Sequence, residues 1–129
     1  MKIGTFLIAL SLLVALPLSV SADPYNKDAV VAAMRANQAR IGTIKTAVAA
    51  KDFLGAAQGF FDYAREASDM LKMDPPKASA DDWARIWNSF QDKALLGAGA
   101  CGERDPVKVL KALDDLVAVN KPGHSEFRF

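Results

Sequence analysis

One cysteine and one histidine are all this chain has of the side chains that most often bind transition metals. A lone Cys101 excludes an intramolecular disulfide and a cysteine-rich metal cage, so stability must come from packing. Charge of one sign is scarce as well. The 16 basic residues face 15 acidic ones and form no basic block, which argues against nucleic acid as a partner. No stretch alternates apolar and polar residues as a half-buried strand does. The chain has no internal repeat, no low-complexity tract and no linker long enough to separate a pair of domains. It also lacks an acid–base pair or an activated nucleophile, so no enzymatic turnover is expected.

What is present begins with "MKIGTFLIALSLLVALPLSVSA", Met1–Ala22. One positive charge at Lys2 is followed by an apolar run from Phe6 to Leu18, then by the small residues Ser19-Val20-Ser21-Ala22. That order is the tripartite pattern of a secretory signal peptide, with cleavage expected after Ala22. The apolar run is shorter than the roughly 20 residues that span a bilayer. The expected division is therefore 1–22 as leader and 23–129 as one exported domain, periplasmic and without a membrane span. Loss of Lys2 leaves 15 basic residues against 15 acidic ones.

Glycines and prolines cut the domain into four helical stretches. The first runs from about Asn26 to Ala50, with Val30, Met34, Asn37, Ile41, Ile44 and Val48 on one face. The second runs from about Asp52, its cap, to Met73, with Phe53, Ala57, Phe60, Ala64, Ala67 and Leu71 inward. "DPPKASADD" interrupts, because two prolines stop a helix. Ser79 followed by Asp82 resembles a capping arrangement for the next helix. The third helix carries Trp83, Ile86, Trp87, Phe90 and Ala94 and is expected to fray in "GAGACGERD". Asp105 caps the fourth, and Pro106 takes its first position, where proline is favoured. Val107, Leu110, Leu113 and Val117 are read as its inner face. Four amphipathic helices with short connections predict an all-α, antiparallel up-down-up-down four-helix bundle. Much of the inner face is alanine, which suits either close helix packing or space for a flat guest.

The stripe of the fourth helix, extended, takes in positions 106, 110, 113, 117, 120 and 124 and reaches the lone His124 in "NKPGHSEFRF". Pro122 and Gly123 predict a kink just before it. Up-down order brings the end of the fourth helix to the start of the first, the end of the second and the start of the third. Met34, Met70, Met73, Trp83 and Trp87 then gather with His124. An imidazole, several thioethers and large aromatics together suit iron, copper or haem. Taken singly, each methionine equally suits core filling.

"HSEFR", His124 to Arg128, resembles the closing pattern of the cytochrome c′ and soluble b-type cytochrome superfamily: His, two variable residues, Tyr or Phe, then Arg. Length, leader and helix spacing extend the resemblance over essentially all of residues 23–129. It implies an exported bundle with haem between the helices, ligated by a histidine near the end of the fourth. The c-type members carry Cys-x-x-Cys-His, whereas here the run is "NKPGH", with Asn120 and Gly123 where the cysteines would stand. Covalent attachment at this site is therefore excluded. Cys101 is no substitute, since the chain between it and His124 spans roughly 25–35 Å as helix. It reads as a partly buried small residue or as a site of intermolecular pairing in a homodimer. The b-type branch implies non-covalent haem b with His124 and Met34 as iron ligands. Arg35, Gln38 and Arg128 would lie beside the haem, and a periplasmic redox partner would exchange electrons with it. The alternative is a bundle that has lost haem and holds copper, through His124 and methionines, or a protein partner.

Overall fold

The computed structural model describes residues 23–75 and 80–121. These form four helices, α1 (Lys27–Ala49), α2 (Phe53–Leu71), α3 (Ala80–Gly102) and α4 (Pro106–Ala118). They pack as a four-helix bundle. The α2–α3 pair is the most extensive, α1–α2 and α3–α4 follow, and among the described residues the α1–α4 seam is slighter than these three. Ile44 meets Gly59 and Arg40 meets Glu66, while Phe60 meets Gly97, Tyr63 meets Phe90 and Trp83 reaches Met70. Residue numbers thus rise on one helix as they fall on its neighbour, for α1 with α2 and for α2 with α3.

The helix starts follow from local chemistry. Asn26 Oδ1 accepts from the Ala29 N–H, Asp52 Oδ1 from the Gly55 N–H, and Asp105 Oδ1 from the Val107 and Lys108 N–H groups. Each satisfies a donor that the first turn leaves without an intrahelical partner. Asp52 and Asp105 are the caps expected from the sequence, and Pro106 sits in the first turn of α4 as expected. Ser79 lies outside the described residues. Lys51 and Arg104, in the tight links α1–α2 and α3–α4, adopt left-handed φ of 57° and 55°. That conformation ends a helix abruptly and is usually given to glycine.

The core contains Val30, Ile44, Phe60, Tyr63, Val109, Leu113 and Leu116 as its largest fully enclosed side chains. Burying each apolar side chain of this size contributes about 1.5–3 kcal/mol. A helix as short as the 13 residues of α4 depends on that burial, since isolated helices of this length are marginal in water.

Three expectations need correction. α3 does not fray in "GAGACGERD" but continues to Gly102, because Gly97 and Cys101 are buried in the packed face. α2 turns Ala56, Gly59, Tyr63 and Met70 fully inward, while Phe53, Ala57 and Leu71 lie at the margin. In α4 the inner face is Val109, Leu113 and Leu116, with Val107 76% and Leu110 39% exposed. Of the expected inner face, Leu113 is buried and Val117 packs against the core, but the stripe 106–110–113–117, which led to His124, is turned outward at its start, at Pro106 and Leu110. Residues 122–129, including Pro122, Gly123, His124 and Arg128, lie outside the described residues.

Candidate functional site

The end of α2, the start of α3 and the segment before α1 meet at one end of the bundle. Asp23 N donates to Lys72 O at 2.8 Å, Asp74 N donates to Asp23 O at 2.9 Å, and residue 23 forms a parallel bridge with Met73. The Asn26 N–H donates to Met73 Sδ at 3.4 Å. The Trp83 Nε1–H donates to Met70 O at 2.9 Å, a carbonyl near the end of α2 that also accepts from the Met73 N–H at 3.2 Å. Met70, Met73, Trp83 and Trp87 are all buried. The expected gathering of these four at α2–α3 is present.

From there an aromatic row runs into the core. Trp83 meets Trp87 edge-on with centroids 5.6 Å apart, Trp87 meets Phe90 at 5.2 Å, and Tyr63 meets Phe90 at 5.8 Å. Offset and edge contacts of this kind suit the ring quadrupoles. Trp87 is 5% exposed, yet among the described residues no acceptor reaches its Nε1–H. A buried donor left unpaired costs about 1–3 kcal/mol.

Of the residues expected to bind haem, Met34 is half-buried on α1 and packs against the core. Arg35 and Gln38 are exposed on the same helix. His124 and Arg128 lie outside the described residues. As donor and as shape, the described residues fit haem only partially. Met34 offers a thioether facing the core, and Trp87 offers an idle donor. Between α2 and α3, however, Phe60 packs directly on Gly97 and leaves no slot for a flat ring. Among the described residues no group of three or more His, Cys, Asp or Glu side chains is placed to hold a metal ion.

A polar cluster crosses the α1–α2 interface. Arg40 Nη1 donates to Asn37 Oδ1 at 2.7 Å and to Glu66 Oε2 at 3.3 Å, with Asn37 buried and the ion pair half-buried. Burial pushes the Tyr63 phenol up to about 12, against the opposing pull of the Arg40 charge. Asn37 on an otherwise apolar stripe was the sequence signal for this cluster, whereas nothing in the spacing marked Tyr63. Burial also raises the Cys101 thiol, a backbone hydrogen bond partly offsetting it.

Grooves among the described residues are open to solvent. One lies between α2 and α3 beside Gln58, Phe61, Arg65 and Gln91, and another between α3 and α4 beside Ser89, Lys93 and Asp115. Among the described residues no helix is long and apolar enough to cross a membrane. Compared with family models, curated proteins and solved structures, the chain finds no match in any of the three.

Proposed function

We propose that the chain is an exported haem protein of the cytochrome c′ and soluble b-type kind. It binds haem b without a covalent link and exchanges single electrons with a periplasmic redox partner. His124 and Met34 would be the iron ligands. The observation that carries this reading is Met34, a half-buried thioether on α1 packed against the core, on a helix whose seam with α4 is slighter among the described residues than the α1–α2, α2–α3 and α3–α4 seams. The idle Trp87 Nε1–H adds a donor in want of an acceptor.

Haem supplies the one-electron chemistry when bound, and a histidine–methionine pair favours its reduced iron. The chain's own role is to bind and orient. A thioether held by core packing loses little freedom on ligation. Arg35 and Gln38, exposed, suit haem carboxylates left in water at the rim. The aromatic row from Trp83 to Tyr63 excludes water from the interior beside it.

A second reading keeps the bundle without haem, holding copper through His124 and methionines or a protein partner. The filled α2–α3 interior favours it, since Phe60 on Gly97 and Tyr63 against Phe90 occupy the space that small residues had offered. A pyridine haemochrome assay on periplasmic protein, expressed with haem supplied, separates the two. A b-type spectrum, fully extracted by acid–acetone, supports the haem protein. His124→Ala should then abolish its low-spin form, and Met34→Ala should leave a five-coordinate, gas-binding one. A colourless protein that is fully helical by circular dichroism overturns the haem reading and leaves the second.

A further inference from the structure

The bridge at residue 23 falls on the first residue of the expected mature chain. Lys72, whose carbonyl accepts from Asp23 N, is the C-cap of α2. That end of a helix carries carbonyls without intrahelical partners and the negative pole of the macrodipole. α2 has no basic residue in its last turn, and the Lys72 ammonium is engaged by Asp69 Oδ1 at 3.1 Å. The end of α2 is thus short of positive charge at the point where the backbone nitrogen of Asp23 stands 2.8 Å from an oxygen.

We propose that this is a built site for the mature amino terminus, in which the α-ammonium of Asp23 closes the carboxyl end of α2. The proposal rests on cleavage after Ala22. There a signal peptidase adds water across the Ala22–Asp23 amide, leaving a carboxylate on Ala22 and an amine on Asp23. The amine takes up a proton at neutral pH, as α-amino groups do. A neutral N–H donor becomes a charged one, and charge-assisted hydrogen bonds are roughly twice as strong as neutral ones. The return bond from Asp74 N to Asp23 O at 2.9 Å holds the new terminus in register. Removal of the leader then does more than release the chain, because it tightens the bundle at the end where α1 begins.

The test compares the mature chain beginning at Asp23 as the free amine with the same chain N-acetylated. Acetylation keeps the N–H donor and removes only the charge. The acetylated form should melt lower by about 4 °C in low salt, and the gap should shrink in high salt as the charge is screened. The Asp74 amide, whose acceptor is Asp23 O, should exchange its hydrogen faster in the acetylated form. Coincident melting and exchange would show that the site takes no charge and overturn the proposal. Intact mass of exported protein checks the cleavage separately. A start other than Asp23 would overturn the proposal on that ground, whatever the melting pair shows.

Discussion

Gly97 on α3 lies against the ring of Phe60 on α2 so closely that a methyl group there would overlap Cε1, Cδ1 and Cζ of the ring. Phe60 is fully buried and has nowhere to turn. Gly97→Ala gains helix propensity of about 1 kcal/mol, but overpacking a closed core costs about 1–3 kcal/mol. The expected outcome is a net loss of stability in urea unfolding. Gly99, two residues on, has nothing within 4 Å of a Cβ. Gly99→Ala should therefore stabilise by about 0.5–1 kcal/mol. Opposite signs from one substitution on one helix would establish the α2–α3 contact.

The same two positions show what the sequence could and could not tell. α1 and α3 were legible because each has one apolar stripe bounded by charge. Val30, Ile41, Ile44 and Val48, and Trp83, Ile86, Trp87 and Phe90, are buried as expected. α4 was legible only at Leu113 and Val117, since "PVKVLKALDDLVA" carries apolar residues around much of its circumference. Packing against α3 and α1 chose Val109 and Leu116 over Val107 and Leu110, and periodicity alone had no means of choosing. The small residues could signify either an empty slot or close packing. That choice is made by Phe60 and Ile44, which come from other helices to fill the space at Gly97 and Gly59. Of the site, the gathering of Met70, Met73, Trp83 and Trp87 followed from helix order. The bridge from Asp23 to the end of α2 did not, because a backbone pairing leaves no mark in side-chain pattern.

Tyr63 gives the protein a stability limit at high pH. Its phenol ionises at about 12 in the fold, against 10.0 without burial. Between those values the unfolded chain releases the proton and the native chain keeps it. The contribution is therefore whole below pH 10 and is lost as pH rises toward 12. Unfolding free energy should fall across that window, and the fall should be smaller in Tyr63→Phe. Cys101 also titrates upward, but it is common to both proteins and cancels in the comparison. The part of the tyrosinate absorbance that Tyr63→Phe lacks should rise together with loss of helix, the half-buried Tyr25 being common to both proteins. If that part rises near pH 10 in fully helical protein, the burial of this ring is contradicted.

Cys101 is 3% exposed, and burial raises its thiol. Both features withhold thiolate, so native protein should react with a thiol reagent only through opening of the end of α3. The rate should climb with urea below the unfolding midpoint. A disulfide between two copies through Cys101 would need the same opening, and the oligomeric state should be equal under oxidising and reducing conditions. Any bound haem spectrum should be unchanged in Cys101→Ser. A covalent dimer formed rapidly by folded protein would refute the placement of this side chain.

Trp83 and Trp87 make a matched pair for the last prediction. They lie one turn apart on α3, are 3% and 5% exposed, and touch each other edge-on. Replacing either by Phe removes the same atoms and opens a similar space, so the cavity terms should be alike. What differs is the indole N–H. In Trp83 it donates to Met70 O at 2.9 Å, so its removal loses a hydrogen bond already made in the fold, although that carbonyl still accepts from the Met73 N–H at 3.2 Å. In Trp87 it has no acceptor among the described residues, so its removal takes away a cost already present in the fold. Trp83→Phe should be the more destabilising by roughly 1–3 kcal/mol, since it loses a made hydrogen bond whereas Trp87→Phe removes a buried donor that had none. Denaturant unfolding of protein stripped of any ligand measures the gap. Haem or another acceptor-bearing ligand that reached Trp87 would satisfy its N–H, and the gap should then narrow when the protein is loaded. Equal losses in the stripped protein would mean that Trp87 already has a partner, and its donor would no longer support a ligand at that end of the bundle.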